Sequence, residues 1–150
     1  MQIKDLSISS PDFAAGERLQ DRHAHLADNL APRLEISGVP EGAAELAVLC
    51  HDPDAPVPFG CTHWVITGID PAATVLDDIA VQAATLGTND FGNQRWDGPM
   101  PPAGHGEHHY YFWVYALDTS TEGPLTGRDF LQRYADHVIE QNRVVATYSA

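Results

Sequence analysis

The segment Tyr110 to Leu117, YYFWVYAL, does most to constrain the fold. It opens with a run of large aromatic or β-branched residues, a composition that favours a strand. Other runs follow the same grammar. Leu46 to Cys50 is apolar and halts at Asp52-Pro53-Asp54-Ala55-Pro56. His63 to Ile69 is β-branched and aromatic and halts at Asp70-Pro71. Ile3 to Ile8 alternates weakly, Pro32 to Ile36 reads as a further strand, and Val144 to Tyr148 as a closing one. Short strands between turn clusters predict a mainly β chain: an antiparallel β-sandwich of two sheets, Greek-key-like, with few helices. The helical signal sits near the C-terminus. Thr126-x-x-Asp129 reads as a helix start. Phe130, Tyr134 and Val138 then recur every four residues with Leu131 alongside, which predicts a helix ending near Asn142. Ala72 to Thr85 reads mostly as loop.

The chain has 150 residues, enough for one domain over 1–150 to fold without a disulfide or metal. Glycine and proline are spread along it rather than gathered into a linker. Cys50 and Cys61 are too few for a disulfide framework and read as buried free thiols. Met1 to Leu6 has no basic head before an apolar core, and no apolar run approaches a membrane span, so a cytoplasmic protein without membrane insertion is expected. The net charge of −13, from 21 acidic and 8 basic residues, argues against nucleic acid as a partner. Any anion must be held by a local arrangement working against that field.

The polar candidates are tied to stiff turns. Pro53 and Pro56 fix the backbone around Asp52 and Asp54. Asp52 follows a predicted strand; it either orients a histidine and favours its charged form, or is a turn carboxylate bonding its own backbone. The second reading suits Asp54. His63 and His108 each open a strand and converge if those strands are neighbours; Trp64 is expected on the face opposite His63. Tyr110 shares a face with His108, whereas His109 points the other way. Pro101 and Pro102 would form a wall poor in hydrogen bonds. No metal or cofactor is expected. His108 and His109 cannot easily share an ion, and His105-x-Glu107 lacks the cysteine pair of a zinc deaminase.

These motifs in this order resemble the phosphatidylethanolamine-binding protein family, which includes the Raf kinase inhibitor proteins and bacterial relatives. The matching stretches are DPDAP at 52–56, His63-Trp64, GPMPPAGHGEHHYYFWVYALD at 98–118, Asn29 to Leu34 with Gly38-Val39-Pro40, and His137-Val138 within the last helix. The resemblance implies a small surface cavity for phosphate-like or carboxylate head groups. Its residues would be Asp52, Ala55, Pro56, His63, Pro101, Pro102, His108 and Tyr110. Ala31, Met100 and His109 depart from the usual Ser, Cys and Arg; loss of the Arg weakens any kinase-inhibitor role. A dimer is implied by the bacterial relatives. Three functions follow as expectations. The first is a binding module for a small anionic or phosphorylated ligand, without catalysis. The second is a weak hydrolase or isomerase with Asp52 and His63 as a general-base pair. The third is a regulator that binds a partner protein.

Overall fold

Strand-forming runs and turn clusters alternate along the chain, and the backbone follows them. The computed structural model describes residues 4–150. In chain order its elements are β1 (Ser7–Ser9), β2 (Leu34–Ser37), β3 (Glu45–Asp52), β4 (Cys61–Ile69), β5 (Val75–Leu76), α1 (Asp78–Ala83), β6 (Thr85–Leu86), β7 (His108–Leu117), α2 (Gly127–Tyr134) and β8 (Val138–Tyr148). They form two antiparallel sheets, β6-β4-β3-β7-β8 and β1-β2-β5. The first strand is shorter than the Ile3 to Ile8 reading, and Ile3 lies outside the described residues. No helix among the described residues is long and apolar enough to cross a membrane.

Alternation along the central strands builds two apolar layers. Leu46, Val48 and Cys50 of β3, Trp64 and Ile66 of β4, and Phe112 and Val114 of β7 meet Ile8, Leu34, Ile36 and Leu76 of the smaller sheet. The opposite faces of the same strands carry Ala47, Leu49, Val65, Tyr115 and Leu117, which pack under Phe130 and Tyr134 of α2. Strand β3 is therefore covered on both sides, which is why its sequence is a continuous apolar run rather than an alternating one. Each large side chain so buried contributes about 1.5–3 kcal/mol relative to exposure.

Helix α2 starts as its sequence indicates, with the Thr126 hydroxyl accepting a hydrogen bond from the Asp129 N–H at 3.1 Å. It ends at Tyr134, well short of Asn142, and a 3-10 turn over Ala135–His137 leads into β8. The reason is tertiary. Strand β7 offers a long edge that needs a partner, and β8 pairs along it from Leu117↔Val138 to His108↔Tyr148. Val138 does join the cluster around Phe130 and Tyr134, but from the first position of a strand. His137-Val138 accordingly lies at the turn-to-strand junction and not inside a helix. Leu131, expected on the apolar face, is exposed. The 72–85 stretch holds β5, α1 and β6 rather than mostly loop. Its signal was Asp77, whose carboxylate caps α1 by accepting from the Ala80 N–H at 3.0 Å.

Candidate functional site

Strands β3, β4 and β7 are neighbours, so Asp52 at the end of β3, His63 near the start of β4 and His108 at the start of β7 share one end of the larger sheet. Around them lies a hollow of about 70 Å³. Asp52, Ala55, Pro56, His63, Pro101, Pro102, His108 and Tyr110 all line it, joined by Cys61, Phe91 and Met100. The space is several times the roughly 10–15 Å³ that a single water needs and well below the ~300–1,000 Å³ of drug-sized sites.

A β-bulge aims His63. Cys50 pairs with Trp64, then His51 pairs with Thr62, leaving His63 as the extra residue. A regular strand would send His63 and Trp64 to opposite faces. The bulge instead leaves both rings beside Trp96, at centroid distances of 6.5 and 5.3 Å, which corrects the opposite-face expectation. His63 Nδ1 donates to the Asp97 carbonyl at 2.6 Å. Burial pushes the His63 pKa below its ordinary value, against the opposing pull of that carbonyl and of the Asp52 charge. The ring is thus neutral at pH 7, with its Nε2 a lone-pair acceptor. Tyr110 lies edge-on to His63, centroids 5.2 Å apart. Its hydroxyl is held protonated, chiefly by burial and then by Asp52.

Asp52 satisfies both readings of its carboxylate. One oxygen accepts from the Asp54 N–H at 2.8 Å and closes the turn; the other accepts from His108 Nδ1 at 2.8 Å. Its imidazole partner is His108 and not His63, so the Asp52–His63 general-base pair does not form as a hydrogen-bonded dyad. Asp54 does not bond its own turn. Its carboxylate reaches across to β7, accepting from the backbone N–H and Nδ1 of His109, both at 2.8 Å. His108 and His109 face opposite ways, as alternation requires. Cys50 is buried and free; Cys61 is free but only half-buried at the hollow, and burial, then Asp90 and Asp52, push its thiol up to about 12.

The supporting network was not legible in the sequence. Asp97 is fully buried and accepts from Asn89 and Asn93 at 2.8 and 2.9 Å, from Arg95 at 3.0 Å and from Asn29 at 3.3 Å. Burial works against its charge, but the hydrogen bonds from Asn93, Asn89 and Arg95 prevail and hold it below the usual carboxylate range. This network anchors the carbonyl that orients His63. It also braces the wall beyond it: Gly98 N–H donates to Asn29 at 2.7 Å, and a Cβ on Gly98 would lie 1.8 Å from the His23 carbonyl oxygen. Only glycine lets that segment pass. The available signal was the Asn- and Asp-rich stretch 89–97 between two strands.

On the other side of the sheet, a larger groove of about 1000 Å³ runs between α2 and the Val57–Gly60 turn, sharing Cys61 with the hollow. Among the described residues no group of three His, Cys, Asp or Glu side chains is arranged to hold a metal ion.

This fold is that of a known family. The phosphatidylethanolamine-binding protein family model matches residues 9–149, and the chain belongs to that family. It is 37% identical to a UPF0098 protein of Methanothermobacter thermautotrophicus over 95% of this chain and 98% of the relative. It is 39% identical to a Mycobacterium tuberculosis protein named as a lipoprotein, LppC, over 95% of this chain and 70% of that one. Among solved structures it is similar to Escherichia coli YbcL, described as a member of the mammalian PEBP family, with a TM-score of 0.91, 29% identity, and coverage of 98% of this chain and 99% of that one. It spans 52% of the length of an Archaeoglobus fulgidus UPF0098 protein, to which it is 30% identical.

Proposed function

We propose that this chain is a cytoplasmic binding module, acting as one domain, whose hollow takes a small oxyanion, phosphate-like or carboxylate, without breaking a bond. The observation that carries the reading is that two polar groups lining the hollow are unspent. Neither His63 Nε2 nor the Tyr110 hydroxyl makes a hydrogen bond among the described residues, whereas Asp52 and both nitrogens of His108 are engaged. An oxyanion would accept from the Tyr110 hydroxyl and from a protonated His63, whose charge it would stabilise. Asp52 bonds His108 and not His63, so the Asp52–His63 pair of the hydrolase reading is not formed. Two unbridged cysteines support the reducing compartment.

Because His63 Nδ1 must donate to a carbonyl, Nε2 carries a hydrogen only in the imidazolium form. Binding is then coupled to uptake of one proton. Sulfate is the fitting probe, since its own charge is constant near neutrality. Titration calorimetry should show sulfate binding more tightly at about pH 6 than at about pH 8, by up to about tenfold per unit. A flat profile, or one unchanged in His63→Gln, would refute the reading.

A further inference from the structure

His108 has no free nitrogen. Nδ1 donates to Asp52, and Nε2 lies 2.8 Å from Nδ1 of His105, with the two ring centroids 5.1 Å apart. His108 itself is buried, whereas His105 is exposed and does not line the hollow. Since Asp52 accepts from Nδ1–H of His108, a single proton lies between the two imidazoles. In the neutral pair, His105 donates it and His108 Nε2 is an acceptor. The residue placed to lend a second cationic donor to the hollow is therefore spent on a neighbour three positions upstream.

His105 sits on a short exposed strap between two glycines. Gly104 and Gly106 flank it at φ +76° and +81°, backbone conformations that side chains rarely adopt, and no atom lies within 4 Å of where a Cβ on either glycine would be. Before the strap stands the stiff Pro101-Pro102 pair; after it, the rigid start of β7. Among the described residues the hydrogen bonds of His105 are that of its ring to His108 and one backbone turn bond, His105 N–H to the Pro102 carbonyl at 3.1 Å.

We infer that His105 is a gate: it occupies the Nε2 position of His108 when the hollow is empty, and an entering oxyanion takes its place. The inference rests on the oxyanion reading above and adds a competitor within the chain. His105 is a positioning residue here, since it acts on the ligand only through His108. The gated state keeps a buried imidazole satisfied in the absence of ligand, because an unpaired buried polar group would be costly. The opened state pairs His108 with the anion while Asp52 still holds its other nitrogen, and it takes up one further proton from solvent, which His108 Nε2 needs in order to donate. Ligand discrimination follows. An apolar group of the same size cannot repay the lost His105 bond, so only a ligand that forms a hydrogen bond with His108 Nε2 opens the gate.

The test is sulfate titration of wild type and of His105→Ala at one pH, about pH 6. Removing the competitor should tighten sulfate about fivefold, the equivalent of about 1 kcal/mol. His105→Gln, which can still bond His108, should fall between the two. In wild type, sulfate should also shift the ring nitrogen resonances of His105, a residue outside the hollow, and abolish its coupling to His108. Equal or weaker binding by His105→Ala, with wild type still binding, would overturn the gate and leave the oxyanion reading standing. Absence of sulfate binding in both proteins would overturn both.

Discussion

Two carboxylate–imidazole pairs stand side by side where the β3–β4 turn meets β7. Asp52 with His108 and Asp54 with His109 use the same residue types at the same 2.8 Å separation. They differ in where alternation sends them. The first pair faces inward, with both side chains 3% exposed; the second faces out, at 42% and 45%. Burial alone separates a structural device from a surface contact. In the dry pair each partner is the other's solvent, so geometry is fixed and loss of one leaves the other stranded. In the wet pair water and salt take over most of what the partner supplies.

The largest expected effect breaks the inner pair. Asp52→Ala should cost about 3–5 kcal/mol in urea unfolding, since it strands His108 Nδ1 and also unties the Asp54 N–H of the turn. Asp52→Asn retains an acceptor for the turn and should cost less. A loss for Asp52→Ala no larger than that for Asp54→Ala would abolish the distinction between the pairs.

How far this contrast was readable without coordinates depends on its range in the chain. That His108 and His109 face opposite ways is a local consequence of strand alternation, and the sequence reading carried it. The same rule misplaced Trp64, because the bulge at His63 is a property of how β3 and β4 register against each other. Asp52 was singled out from its prolines, yet its partner could not be chosen between His63 and His108 without knowing which imidazole the pairing of β3 with β4 and β7 brings to its carboxylate. The helix was overextended for a related reason: Phe130, Tyr134 and Val138 do meet, but the unpaired edge of β7 decides that Val138 arrives on a strand. Asp97 escaped notice entirely. Its importance lies in donors gathered from Asn29, Asn89, Asn93 and Arg95, and Asn29 is distant in sequence.

A second, smaller effect sharpens the contrast by following a buried imidazole that has no carboxylate bonded to it. Burial lowers the His63 pKa from its ordinary 6.5. Above that value His63 is neutral in both folded and unfolded chains and contributes no pH dependence. Below it the unfolded chain takes up a proton that the folded chain refuses, so stability falls as pH drops, by up to about 1.4 kcal/mol per unit, and levels off once pH passes the folded value. His23, also buried and lowered, adds the same sign independently. The difference between wild type and His63→Gln isolates one site. Chemical unfolding from about pH 7 to about pH 5 should show a shallower decline in the variant. Parallel curves would mean that His63 is not held neutral by its surroundings.

The smallest effect belongs to the outer pair. Burial works against the Asp54 charge, but the hydrogen bonds from His109 more than offset it and lower its pKa. With both side chains over two-fifths exposed, that shift is heavily screened and converts to little stability. Asp54→Ala should therefore cost below about 1 kcal/mol at low salt, and less when salt is raised. The sign over pH follows from the lowered value: whatever Asp54 contributes is present above the ordinary carboxylate range and is lost as pH falls through its folded pKa. Part of the loss should persist at high salt, because the carboxylate also accepts from the His109 backbone N–H, a bond that an exposed strand end can otherwise make with water. Comparing Asp54→Ala with Asp54→Asn divides the two contributions, since asparagine keeps the acceptor and drops the charge. A loss as large and as salt-insensitive as that of Asp52→Ala would mean that the outer pair is shielded in solution, and that burial is not what distinguishes it from its neighbour.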